Sequence, residues 1–584
     1  MATIHTKGAG VSLSFDGFGG IDRRWQGRGG RNAVYDLQNL RVDNGGALRR
    51  RWGYGKLATL PASIRGLWSG VFAGEFCAFA VAGDRMYRIS AADGSYTELG
   101  TISPGEGRVN LFLWRDTLIC LDGQEIHTYD GQHLTPVEPY IPLVWAVDDI
   151  SGTETSPEPV NLIDRRVRVA FRLDGRNYMK LTLPVESLEQ VRNADTGEVL
   201  DGWILHFQDG KTPYLFANDY TGDATPMVAT LMLRDDHDCR SDIAACGGAV
   251  IWGGTDDNRI LCFGGSRQGE IFSSSEVDAM RLDEEKRHCG SEGKLYFPLP
   301  GHFCLGDGRY PVRAACPHYD RLLIFTDGEC WASDLDAAGQ QRISVLPINS
   351  GVGCTSLGGA ALAGNDPVTV ADGAVWRWTA SRLQRDECSA EQISAGVSKL
   401  LGDGFTQRAL VFCARSLGEI WLADPADAAG QVLIYRTDLD LWYRFTGIRA
   451  EGFFVWGGDV GFWRGDTVFC FDEDLHTDDG ENIPIRLTLD GLSAGEAGRL
   501  QHLTRLALAL RGEFSPMTLT AETDRGRTTV RNLAAGGEAD TDSFLDFPLH
   551  SGRFRSLRLT LAGEGEHAPE IRGLYLCAEP GGRN

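Results

Sequence analysis

A chain of 584 residues is too long for one ordinary domain, and 42% hydrophobic with 23% charged residues is the balance of a globular protein with a large core. The 57 Lys and Arg against 80 Asp and Glu leave a net charge of −23, which argues against nucleic-acid binding by the chain as a whole. The 73 glycines exceed the usual share of about 7% and favour a fold with many tight turns. No apolar run approaches the roughly 18 residues of a membrane span, and the opening MATIHTKGAGVSLSF lacks the basic-then-apolar plan of a signal peptide, so synthesis in a cytoplasm is expected.

Residues 1–60 read as an N-terminal connector arm. Val11–Phe15 has the composition of a strand, Ala33–Leu40 has room for a short helical turn, Asp43-Asn44-Gly45-Gly46 is a hairpin signal, and Ala47–Tyr54 follows it as a second strand. Between Arg23 and Trp52 the arm carries Arg23, Arg24, Arg28, Arg31, Arg41, Arg49, Arg50 and Arg51 against only Asp36 and Asp43. That local surplus can dock on an acidic protein surface, with Arg49, Arg50 and Arg51 as the foremost contacts, or it can pair with acids of its own chain.

From residue 61 a strand rhythm sets in. Leu67–Gly100 holds one up-and-down sheet with turns at Ala73-Gly74, Gly83-Asp84 and Asp93-Gly94; Val109–Val137 repeats the plan with turns at Arg115-Asp116, Asp122-Gly123 and Asp130-Gly131. Residues 140–238 change rhythm, and the alternation in VRVAFRLDG, YMKLTLPV, GWILHFQ and MVATLMLR reads as an inserted small β-sandwich, removable with its ends close together. Blade rhythm resumes over residues 239–471. Its clearest stretch is Ala409–Phe445, with strands expected at Ala409–Cys413, Glu419–Ala423, Gln431–Arg436 and Leu441–Phe445. Such a four-stranded sheet cannot bury both faces alone, and the repeat predicts an all-β β-propeller of about seven blades. Residues 472–584 return to alternating strands and read as a C-terminal β-sandwich.

Familiar catalytic signatures are missing: no P-loop, G-x-G-x-x-G, G-x-S-x-G or H-E-x-x-H occurs, nor the S-x-D-x-G-x-x-W turn of sialidase-like blades, so no enzyme and no cofactor are expected. Cys77, Cys120, Cys262, Cys413 and Cys470 lie among large apolar residues and read as small buried hydrophobes, without disulfides. Asp235, Asp236, His237, Cys239 and Cys246 lack the paired spacing of a zinc site, and no metal is assigned there. The acidic loop Asp472–Gly480 is rich in oxygen ligands but lacks the spacing of a calcium loop; a solvated loop is the simpler reading. Trp376, Trp378, Trp421 and Trp442 sit at strand positions, where packing between sheets precedes carbohydrate stacking as an explanation.

The stretches GFGGIDRR and NAVYDLQNLRVDNGGALRRRWGY resemble the N-terminus of tail adaptor, nozzle and stabilisation proteins of tailed phages, where a Gly-Gly turn precedes an Asn-rich helix and a Gly-x-Leu-x-x-Arg-Pro-Gly strand; here Trp52 stands in the place of the proline. DRLLIFTDGECWAS, GVGCTSLGGAALAG, AVWRW, EQISAGV, EIWLADPADAAGQVLIYRTDLDLWYRF and DDGENIPIRLTLDG then follow in the order such propeller proteins show. The resemblance covers most of the chain outside the insertion. It implies a virion component of the tail, assembled as a self-associated ring of six copies, beneath a portal or head-to-tail adaptor and beside other tail proteins. Genome DNA would pass through its lumen without specific binding, and no catalytic residues carry over. The rival reading is a receptor-binding or glycan-binding propeller of a tail or cell surface.

Overall fold

Short strands joined by tight turns leave antiparallel pairing as the main way to satisfy the backbone, and the chain uses it throughout. The computed structural model describes residues 3–7, 10–24, 32–146, 158–173, 175–218, 225–234, 237–253, 258–275, 295–334, 343–380, 388–402, 404–493 and 499–580. It is all-β in class, with β-propeller blades. Among the described residues, seven four-stranded blades follow one another, six of them meanders of consecutive strands. Blade 1 begins with Ile64–Phe72 and Glu75–Ala82, blade 2 with Asn110–Trp114 and Thr117–Leu121, and blade 3 with Gly248–Gly253 and Asn258–Phe263. Blades 4 and 5 begin with Val312–His318 and Ala360–Ala363, blade 6 with Leu410–Ala414, and blade 7 with Gly452–Trp456.

Blade 6 has the expected strands almost to the residue: Leu410–Ala414, Glu419–Ala423, Val432–Arg436 and Leu441–Phe445. Hairpin chemistry fixes the register of its neighbour, blade 5, where Asp372 and Gly373 at φ 51° and 73° form the two-residue turn between Asp366–Ala371 and Ala374–Ala380. Blade 7 takes its fourth strand from the other end of the sequence. Gly53–Thr59 pairs antiparallel with Thr467–Asp472, so the connector arm contributes a blade strand that the sequence reading had left outside the propeller.

The chain divides into two compact units. The first comprises Met1–Gly83, Tyr87–Glu98 and Gly351–Asn584. In it the opening strands of blades 5, 6, 7 and 1 lie side by side, and Ala58, Ile64, Ala80, Phe454, Trp463 and Val468 form a core between blades 7 and 1. The C-terminal strands of this unit do not stand alone. Gly10–Asp16 and Leu48–Arg50 both pair with Glu570–Pro580. Asp36–Gln38 lies between Leu441–Phe445 of blade 6 and Ile485–Leu492, making one nine-stranded sheet from blade 6 into the C-terminal strands. The helical turn expected over Ala33–Leu40 is therefore corrected to a strand: Val34, Leu37 and Leu40 are buried against these neighbours, and sheet pairing on both sides outweighs a short helical propensity.

The second unit comprises Asp84–Met86 and Leu99–Ser350. Opening strands of blades 2, 3 and 4 run side by side, and a core of Ile119, Leu121, Ile260, Cys262, Phe272 and Phe297 fills the space between blades 2 and 3. The insertion forms two sheets, one of Leu143–Ala146, Arg166–Phe171, Met227–Leu233 and Val185–Asn193, the other of Tyr178–Lys180, Thr212–Ala217 and Trp203–Gln208. Val167, Phe171, Val191, Leu215 and Leu231 fill the core between them. The base of the insertion belongs to the blades, however. Leu162 and Ile163 pack into the core of blades 2 and 3, while the Asn161 amide donates to the carbonyls of Tyr140 and Leu295 at 2.8 and 3.2 Å and accepts from the Phe297 amide at 3.0 Å.

Thirteen described cysteines are free thiols. Cys77, Cys120 and Cys262 are buried, Cys413 and Cys470 half-buried, and Cys304 and Cys577 exposed. Burial pushes the Cys246 thiol up to about 12.

Candidate functional site in the arginine arm

The arm's arginines are held by the strands just described. The hairpin Leu40–Val42 and Leu48–Arg50 closes on Asp43, whose carboxylate accepts from the amides of Gly45 and Ala47 at 2.8 and 2.9 Å. Directly after it, Arg51 turns inward. Its side chain is 1% exposed and forms a two-pronged pair with Asp478, with Nη1 to Oδ1 at 2.8 Å and Nη2 to Oδ2. Nε donates to Asn39 Oδ1 at 3.1 Å, and the remaining hydrogens reach the carbonyls of Trp52 and Thr446. Every guanidinium nitrogen is thereby satisfied, which makes burial of this charge sustainable. Gly53 follows because nothing larger fits: a Cβ there would lie 2.0 Å from the Thr477 carbonyl oxygen.

Arg41 lies over the Trp52 ring at 4.4 Å and donates to Glu419 Oε2 at 2.9 Å. Glu419 also accepts from Trp421 Nε1 at 2.9 Å and from the Tyr443 hydroxyl. Burial, then the Glu419 charge, drives the Tyr443 phenol well above its usual range, so it remains a donor. Arg23 meets Asp36 at 3.1 Å, and Asp36 is shared with Arg444 at 2.6 Å.

These contacts correct the sequence expectation for the foremost docking residues. Arg51 is an internal clamp. Arg50 is also engaged, donating to the carbonyls of Gly565 and Glu566 at 2.8 and 2.6 Å; burial, then the like charge of Arg51, lowers its pKa. Arg49 is different: 61% exposed, it sits 3.0 Å from Glu570 and 3.6 Å from Asp43. Arg24 is 56% exposed and paired with Asp22 at 2.8 Å. Arg28 and Arg31 lie outside the described residues. The outward charge of the described arm thus falls on Arg24 and Arg49, and Arg49 lines a cleft of about 200 Å3 together with Arg50, Trp52, Glu473 and His476.

The other sequence candidates separate similarly. Cys239 and Cys246 belong to the core of blades 2 and 3, and Asp235 and Asp236 lie outside the described residues. Among the described residues no group of His, Cys, Asp and Glu gathers in a metal-ligating arrangement. In the Asp472–Gly480 loop, Asp478 serves as the counter-ion of Arg51. Trp378, Trp421 and Trp442 are buried and donate to Thr369, Glu419 and the Ile393 carbonyl. Sequence reading missed an aromatic face on the insertion; its signal was the alternation of Tyr214 and Phe216 with buried Leu215.

No family model matches the chain, and no curated protein matches it. Similar solved structures include a chain of the mitotic checkpoint complex, 10% identical with a TM-score of 0.34, over 73% of this chain and 94% of that one. They also include an exo-β-1,3-galactanase from Phanerochaete chrysosporium, 10% identical with a TM-score of 0.18, over 92% of this chain and 100% of that one. Hsv2 of Kluyveromyces lactis is 10% identical with a TM-score of 0.26, over 66% of this chain and 98% of that one. Likenesses this distant carry no functional argument. Among the described residues no helix is long and apolar enough to cross a membrane.

Proposed function

We propose that this chain is a structural virion protein of a phage tail. It forms a ring below the portal or head-to-tail adaptor and extends the channel through which the genome is retained and ejected. The observation that carries the reading is the arm: of the residues in the Gly-x-Leu-x-x-Arg-x-Gly stretch, Leu48 pairs with the C-terminal strand, Arg51 clamps Asp478 and the Thr446 carbonyl, and Gly53 pairs with blade 7. A subunit under load from packed DNA benefits from having both chain ends tied into one body. The charge of −23 per copy gives a lumen that repels phosphate rather than retaining it. Under this reading the chain carries no catalytic residues and no cofactor, and its partners are copies of itself and neighbouring tail proteins.

Negative-stain imaging of the purified full chain, alone and with a portal or adaptor protein encoded beside it, tests the proposal. Closed rings with a lumen wide enough for a duplex support it, as do portal and terminase genes adjacent to this one. A chain that stays monomeric under every condition and has no such neighbours overturns it and favours the receptor-binding alternative.

A further inference from the structure

We propose that the outer face of the three-stranded sheet in the inserted domain binds an acidic polysaccharide. Strand alternation sends Met179 and Leu215 into the domain core and leaves two rows on the opposite face. Register places Tyr178 beside Phe216 and Phe216 beside Ile204; in the next row Lys180 stands beside Tyr214 and Tyr214 beside His206. The rings form a continuous pavement, with centroids 5.6 Å apart for Tyr178 and Phe216, 6.0 Å for Tyr178 and Tyr214, and 5.8 Å for His206 and Phe216. Tyr178 and Ile204 are 39% and 47% exposed, and Lys180 and His206 are exposed as well.

The solvent face of a sheet normally carries polar residues, so a pavement of three aromatics and an isoleucine marks a surface that something covers. Its chemistry selects the occupant. Flat rings offer stacking faces to the C–H side of a pyranose, while the Tyr hydroxyls, the Lys180 ammonium and the His206 ring supply hydrogen bonds at the rim. Neither row contains Asp or Glu, so Lys180 gives the face a positive charge within a chain of −23, complementary to a sugar carboxylate. A single lysine is too little to neutralise a run of phosphates, which disfavours single-stranded nucleic acid despite the aromatic platform. Protein hot spots sit in well-packed, fully desolvated pockets, and this face is an open sheet surface. The inference rests on the sheet face alone and stands whether or not the chain assembles into a ring.

Affinity electrophoresis of the full chain in native gels containing alginate or dextran tests it, with an oligothymidylate as competitor. Alginate is expected to retard the protein more than dextran does. Tyr178→Ala is expected to weaken the retardation about tenfold, the loss of one stacking contact, and Lys180→Glu to weaken it most at low salt. Both positions are exposed, and unchanged melting temperatures in the two variants exclude misfolding as the cause. Equal mobility in alginate and blank gels, retardation unaffected by either substitution, a preference for dextran, or displacement of alginate by the oligothymidylate would each overturn the assignment.

Discussion

Arg51 shows what a surplus of positive charge in a sequence does and does not reveal. The cluster is visible in any count of charges, but the partner of Arg51 is Asp478, 427 positions away, and that of Arg41 is Glu419, 378 positions away. No local pattern announces such pairs. Removing one member of a buried, fully hydrogen-bonded pair leaves the other charge uncompensated, so Arg51→Met should destabilise the first unit by about 3–5 kcal/mol, and Asp478→Leu on the Arg51→Met background should recover most of the loss. Urea unfolding followed by tryptophan fluorescence measures both; a loss below about 1 kcal/mol in the single variant, the range of a surface ion pair, refutes the clamp. Asp122 offers a test through pH. Burial alone raises its carboxyl, but hydrogen bonds from His127 at 3.0 Å and from the amides of Glu125, Gln124 and Ser103 at 2.7, 2.9 and 2.9 Å outweigh burial and hold it well below the usual range. Because the folded value lies below the unfolded one of about 3.9, the stabilisation is present above that value and disappears as pH falls through the folded value. Asp122→Asn should therefore be less stable than the parent at neutral pH and lose less stability on acidification, as melting temperatures across an acid series will show; parallel curves would contradict this.

Blades were legible because their chemistry is local: Asp372-Gly373 needs no distant partner to make a turn, and Leu410–Phe445 alternates and breaks where its strands do. The closing strand Gly53–Thr59 was hidden for the opposite reason, since Thr59 faces Thr467 at a separation of 408 residues. Val34, Leu37 and Leu40 have a three-residue spacing that imitates a helix, yet they are buried by sheet neighbours from two ends of the chain. The insertion was recognisable from its alternation, but its edges were not. Leu162 and Ile163 are each 1% exposed in the core between blades 2 and 3. Excising residues 140–238 removes both, along with the Asn161 hydrogen bonds, and each lost aliphatic side chain costs about 2–5 kcal/mol. Excising residues 165–234 spares them, and the cut ends are already adjacent because the Leu233 amide donates to the Arg165 carbonyl at 2.9 Å. With a short Gly/Ser bridge, the smaller deletion should keep a cooperative melt while the larger one aggregates or loses far-UV signal. Equal behaviour of the two deletions would show that the base of the insertion is not part of the blade core.

At the scale of the whole molecule, net charge and its local exception make opposing demands on assembly. Copies carrying −23 repel one another, so a ring of them needs either apolar interfaces or a positive element placed against an acidic flank. Six of the arm's arginines, Arg23, Arg24, Arg41, Arg49, Arg50 and Arg51, have acid or carbonyl partners within their own chain, but Arg24 and Arg49 keep 56% and 61% of their side-chain surface open. An ion pair at that exposure contributes about 0–1 kcal/mol, little enough that a neighbouring copy can compete for the guanidinium. Arg24→Glu with Arg49→Glu reverses both charges without touching the Arg51 clamp. If the arm docks on an adjacent protomer, the double variant should shift toward monomers at physiological salt, and the parent assembly should loosen as salt rises, since salt weakens solvent-exposed ion pairs. Light scattering on a sizing column reads both effects. An unchanged particle accompanied by loss of a salt-sensitive affinity for duplex DNA would identify the arm as a nucleic-acid contact instead.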